Sequence, residues 1–134
     1  MSYDLVGDVS EELLLELKGM LKTAVWKQVK DDEKHFYTFF PDIEGGEISP
    51  LGKVERAFFL KIPPGGMVHK HTDGKVGGTF HIPVKTNGKA ICYMLDKPYK
   101  LKVGKVYSVN RQVEHHSTND GKTDRIHLIV ECRI

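Results

Sequence analysis

From His35 onward the chain breaks into short apolar runs separated by turn residues, a rhythm that restricts it to an all-β fold. The runs are HFYTFF (35–40), RAFFLKI, GMVHKHT, GTFHIPVK, KAICYML, YKLKV, KVYSV and DRIHLIVECRI. Between them lie PPGG, DGKVGG, TNG, DKP, Gly104 and NDGKTD. Seven or eight strands in about 100 residues predict a sandwich or barrel. Asn87-Gly88 reads as the strongest hairpin turn. Residues 41–53, rich in Pro, Gly, Glu and Ser, read as an exposed loop.

Ahead of this β region the spacing predicts one helix over residues 10–29. Ser10 is placed to cap it, and Glu11 and Glu12 suit the positive end of its dipole. Leu13, Leu14, Leu17, Leu21, Ala24, Val25 and Gln28 recur at helical spacing, so one stripe faces a core. The helix is expected to pack outside the barrel, which occupies about 35–134. No linker divides the chain, and its 134 residues make one domain.

No nucleic-acid partner is expected from charge alone: the formal net charge is only +2 and basic residues are evenly spread. No apolar run approaches the ~20 residues that cross a bilayer. The N-terminus MSYDLVGDVSEELL lacks a basic region followed by an apolar one, so no signal peptide is expected. Cys92 and Cys132 sit inside apolar runs without metal-site spacing, which predicts two buried thiols and a cytoplasmic protein.

The chemistry concentrates in the histidines, of which there are seven. In VHKHTD, an extended strand places His71 and Asp73 on one face, where both can grip one ion. His69 shares that spacing. A third ligand has to come from EHHSTN, as His115 or His116. Two imidazoles and one carboxylate leave positions open on a metal, the arrangement that holds non-haem iron(II). In GTFHIPVK, Phe80, Ile82 and Val84 alternate with Thr79, His81 and Pro83. In DRIHLIVECRI, Ile126, Leu128, Val130 and Cys132 alternate with Arg125, His127, Ile129 and Glu131. One apolar and one polar, histidine-bearing face on each strand predict a barrel with a ligand-filled interior.

The segments VHKHTDG, GTFHIPVKTN and HHSTNDGKTDRIHLIVE resemble the aspartyl/asparaginyl β-hydroxylase-like branch of the iron(II)- and 2-oxoglutarate-dependent oxygenases. The resemblance covers about residues 58–134. It implies a double-stranded β-helix, a jelly-roll or cupin-like barrel. It also implies an Fe(II) centre held by His71, Asp73 and His115, because the family's distal histidine stands ten residues before an arginine and Arg125 stands ten residues after His115. By the same resemblance Arg125 grips the far carboxylate of the co-substrate 2-oxoglutarate, beside His81 and Thr79. Thr79 stands where the family usually carries an arginine. The implied reaction uses dioxygen to hydroxylate a C–H bond of an amino-acid side chain, in a small molecule or a peptide. Two other readings share the barrel: a different metal-dependent cupin enzyme using His69, His71 and His115, and a ligand-binding barrel without catalysis.

Overall fold

The structure, a computed structural model, describes residues 3–31, 34–72, 78–109 and 112–132. Among them one helix, α1 (Glu11–Leu21), accompanies twelve strands. In chain order these are β1 (Asp4–Asp8), β2 (Lys27–Asp31), β3 (Lys34–Phe39), β4 (Glu47–Ile48), β5 (Gly52–Ile62), β6 (Met67–His71), β7 (Gly78–Lys85), β8 (Ala90–Met94), β9 (Lys97–Tyr99), β10 (Lys105–Val109), β11 (His115–Asn119) and β12 (Arg125–Cys132). The main sheet runs β1-β10-β7-β12-β5-β3-β6-β11-β8-β9, all antiparallel, with β2 on β3 and β4 on β5. It curls on itself, because residues from β3, β5, β6, β7, β10, β11 and β12 line one common cavity. The result is the expected cupin-like barrel.

Alternation along the strands divides the residues between two sides. Ile82, Val84, Val106, Ile126, Leu128 and Val130 face outward and form the larger core with α1. Leu17 is fully buried there, flanked by Leu13, Leu14, Met20 and Leu21. Ser10 caps the helix by accepting a hydrogen bond from the Leu13 amide at 3.1 Å. A second cluster, Tyr3, Cys92, Met94, Leu101, Tyr107 and Val109, joins the β1–β10 edge to the β8–β9 edge and closes the barrel by side-chain packing.

Four sequence expectations differ from the structure. Of the run YKLKV only Tyr99 lies in a strand, at the end of β9. The helix ends at Leu21, not near residue 29, and residues 27–31 form β2. Val25 is left exposed, while Val29 pairs across from Phe36, so cross-strand partners override the helical spacing. Asn87-Gly88 is not a hairpin turn: β7 pairs with β10 and β12, whereas β8 pairs with β11 and β9. The Asn87 side chain instead ties this crossing to Asn119 Oδ1 at 3.1 Å and to the Thr123 carbonyl at 3.0 Å. The tight hairpin is at Leu95-Asp96, where both residues have positive φ (49° and 63°), as a type I′ turn requires. The 41–53 loop carries β4, whose Ile48 is buried in the larger core.

Candidate active site

The cavity has a volume of about 440 Å³, within the range of small-molecule sites. His71, His81, His115, Thr79, Ser117 and Arg125 supply its polar lining. Phe36, Phe58, Leu60, Val68 and Ile129 supply its apolar wall. At its rim Arg56 pairs with Glu131 at 3.3 Å, its guanidinium 5.2 Å from the centre of the Phe58 ring.

His71 and His115 are direct partners across β6 and β11, with ring centroids 4.3 Å apart. His71 Nδ1 lies 2.6 Å from the His69 carbonyl, and His115 Nδ1 lies 2.7 Å from the Val113 carbonyl. A carbonyl only accepts, so each Nδ1 carries a proton, and in the neutral ring the lone pair is then on Nε2. That is the tautomer a metal-binding histidine needs, with the ring held by the second nitrogen. The β6–β11 register shifts between these residues: His115 opposes His71, but Ser117 opposes Val68. The shift turns Val68 and His71 into the cavity, and His69 is not among the side chains that line it. His116 points outward and stacks on Tyr93, with ring centroids 4.4 Å apart. Asp73, the expected carboxylate, lies outside the described residues. Among the described residues no third His, Cys, Asp or Glu completes a metal-holding group with this pair.

Arg125 opens β12 and is 2 % exposed. Its Nη1 donates to Cys92 Sγ at 3.5 Å, and among the described residues its Nε has no hydrogen-bond partner. Burial lowers its pKa, yet a guanidinium stays charged. The side chain is therefore a buried cation facing a cavity, with a thiol as its acceptor among the described residues. Thr79 is also buried, and its hydroxyl has no partner among the described residues.

His81 completes the polar floor. Its Nδ1 lies 3.1 Å from His127 Nδ1, so one ring donates and the other accepts. Burial pushes His81 down to about 3, helped by the charges of Arg125 and His115. Burial and Arg125 also hold His127 well below the ordinary histidine range. Both rings are neutral near pH 7. His127 was legible only as one position of a polar face two residues from Arg125. Tyr3 also lines the cavity, edge-on to His81 at 6.0 Å between ring centroids, and no local pattern marked it.

Residues 43–133, well over half of the chain, match the family described as aspartyl/asparaginyl beta-hydroxylase. The chain belongs to the aspartyl/asparaginyl beta-hydroxylase family. The family match contains His71, Asp73, Thr79, His81, His115 and Arg125, and leaves β1, α1, β2 and β3 outside it.

Solved structures place this hydroxylase-family chain in the cupin fold. An oxidoreductase of the 2OG-Fe(II) oxygenase family from Burkholderia pseudomallei superposes with a TM-score of 0.67 at 9% identity, covering 91% of this chain and 79% of the other. A predicted oxalate decarboxylase from Thermotoga maritima gives 0.57 at 19% identity, covering 84% and 96%. A cupin-like protein from the same organism gives 0.58 at 18% identity, covering 81% and 77%. At these identities the likeness is one of fold. No curated protein sequence matches the chain. No helix among the described residues is long and apolar enough to cross a membrane.

Proposed function

We propose that the chain is an iron(II)- and 2-oxoglutarate-dependent oxygenase that hydroxylates a C–H bond of an amino-acid side chain, free or in a peptide. The observation that carries this reading is one cavity holding both an oriented imidazole pair and a buried arginine with no carboxylate partner among the described residues. His71 and His115, with Asp73, would hold the iron; two nitrogens and a carboxylate are the donor set that suits it. Arg125 would hold the far carboxylate of 2-oxoglutarate through parallel hydrogen bonds. Bound together, iron(II), 2-oxoglutarate and dioxygen supply the oxidising power, releasing succinate and carbon dioxide and delivering one oxygen atom to the substrate.

The chain's own side chains supply placement and protection. The Nδ1 bonds fix the two ring orientations before any ligand arrives. His81 lies within electrostatic reach of both Arg125 and His115. As a neutral imidazole it adds polarity between the two ends without competing for the carboxylate. Phe36, Phe58, Leu60 and Ile129 keep bulk water from the centre, and Arg56 with Glu131 marks the substrate entrance. The two free, buried thiols accord with a cytoplasmic setting.

Anaerobic iron(II) titration followed by succinate release from 2-oxoglutarate in air tests the proposal. Iron-dependent succinate formation supports it. A protein that binds iron but neither binds nor consumes 2-oxoglutarate belongs to another chemistry.

A further inference from the structure

We propose that Tyr3 is a co-substrate-binding residue, its phenol hydroxyl joining the Arg125 guanidinium in a two-donor clamp for the distal carboxylate of 2-oxoglutarate. The proposal rests on the 2-oxoglutarate reading above and assigns a role to a segment outside the family match.

Tyr3 is 6 % exposed although it stands at the start of the described chain. Strand β1 brings it there by pairing with β10, with a register shift between Leu5 and Gly7. The ring packs edge-on to Tyr99, with centroids 5.3 Å apart, at the seam where the barrel closes. The side chain packs in one buried cluster with Cys92, and it lines the same cavity as Ser117 and Arg125, within electrostatic range of the guanidinium. Ser117 Oγ donates to the Cys92 sulfur at 3.6 Å. Arg125 and Ser117 thus both donate to one thiol, a weak acceptor, and the Tyr3 phenol packs beside it.

Strong donors gathered around a poor acceptor, beside a cavity, form an anion site. A buried cation without a counter-ion is costly, and a carboxylate arriving from the cavity removes that cost. Charge-assisted bonds to the carboxylate replace weak bonds to sulfur. Burial holds the phenol well above its ordinary pKa, so it is a donor throughout the working pH range. Thr79 offers only a short hydroxyl at the neighbouring position. Tyr3 supplies the longer, aromatic-backed donor.

Tyr3→Phe keeps the ring at the seam and removes only the hydroxyl. Wild type and variant, both iron-loaded and oxygen-free, are titrated by calorimetry with two ligands. One is 2-oxoglutarate; the other is 2-oxopentanoate, the same chain with a methyl in place of the distal carboxylate. The variant is expected to lose about 10- to 100-fold in affinity for 2-oxoglutarate, as for a bond to a charged group, and nothing for 2-oxopentanoate. Equal 2-oxoglutarate affinities overturn the role of Tyr3 and leave the proposed function standing. Equal losses for both ligands, or a variant whose ligand-free melting point collapses, reduce Tyr3 to a packing residue and also overturn it. A wild type that does not prefer 2-oxoglutarate over 2-oxopentanoate overturns the co-substrate reading itself.

Discussion

His71 and His115 come from strands remote in sequence, yet they oppose each other across β6 and β11 with rings 4.3 Å apart. Each is pinned through Nδ1 to the carbonyl two residues before it. The pairing is a property of sheet register. A shift by one residue would turn either ring to the outer face.

Replacing either histidine by alanine is expected to abolish tight iron(II) binding while the fold survives. Asp73→Ala should be far more damaging than His69→Ala, because His69 does not line the cavity. Iron titration with circular dichroism as the fold control checks this. The opposite ranking at positions 69 and 73 would favour a three-histidine cupin centre.

Arg125→Ala should weaken 2-oxoglutarate binding about 30- to 1000-fold, the range for a lost bidentate, charge-assisted contact. Iron affinity should hardly change. Arg125→Lys should recover only part, since an ammonium is a point charge without the planar fork. Oxygen-free titration of 2-oxoglutarate into iron-loaded protein reads both numbers.

Acid should destabilise the ligand-free protein through His81 and His127. Burial places His81 near 3 and His127 well below 6.5, so the unfolded chain takes up protons that the folded chain refuses. No contribution exists above pH ~6.5, where both states are neutral. Between about 6.5 and 3, stability falls as pH falls, by up to about 1.4 kcal/mol per pH unit for each ring. Urea unfolding at pH 7 and pH 5 measures the slope. His127→Gln should flatten it, and an unchanged slope in that variant would contradict the assignment.

Leu17→Ala should cost about 2–5 kcal/mol, the range for emptying a filled core position, because Leu17 is fully buried between α1 and the sheet. Leu15→Ala, on the exposed face of the same helix, should stay within about 0.5 kcal/mol of wild type. Paired urea midpoints test whether α1 packs on the barrel through the Leu13, Leu17 and Leu21 stripe.

The two faces of β7 and β12 were legible in the sequence because alternation in a strand is local. Phe80, Ile82 and Val84 pack with the larger core, and Thr79 and His81 line the cavity. The helix start was legible because a cap is local chemistry between Ser10 and Leu13. Its end was not. Nothing within residues 22–29 reveals that Val29 will find Phe36 across a sheet. The family signature reached His81, His115 and Arg125 as residues but not their arrangement.

By itself, the sequence determined the strand-rich fold class, the one helix and which side of β7 and β12 is polar. These follow from side-chain alternation, helical spacing and capping, all set within a few residues. Tertiary structure alone decided which strands pair, and so that Asn87-Gly88 crosses between strands that do not pair with each other. It also decided that the β6 register shift brings His71 into the cavity without His69, and that Tyr3 reaches the Arg125 end of the barrel. Pairing and register are settled by packing between residues far apart in the chain, and no local pattern contains that information.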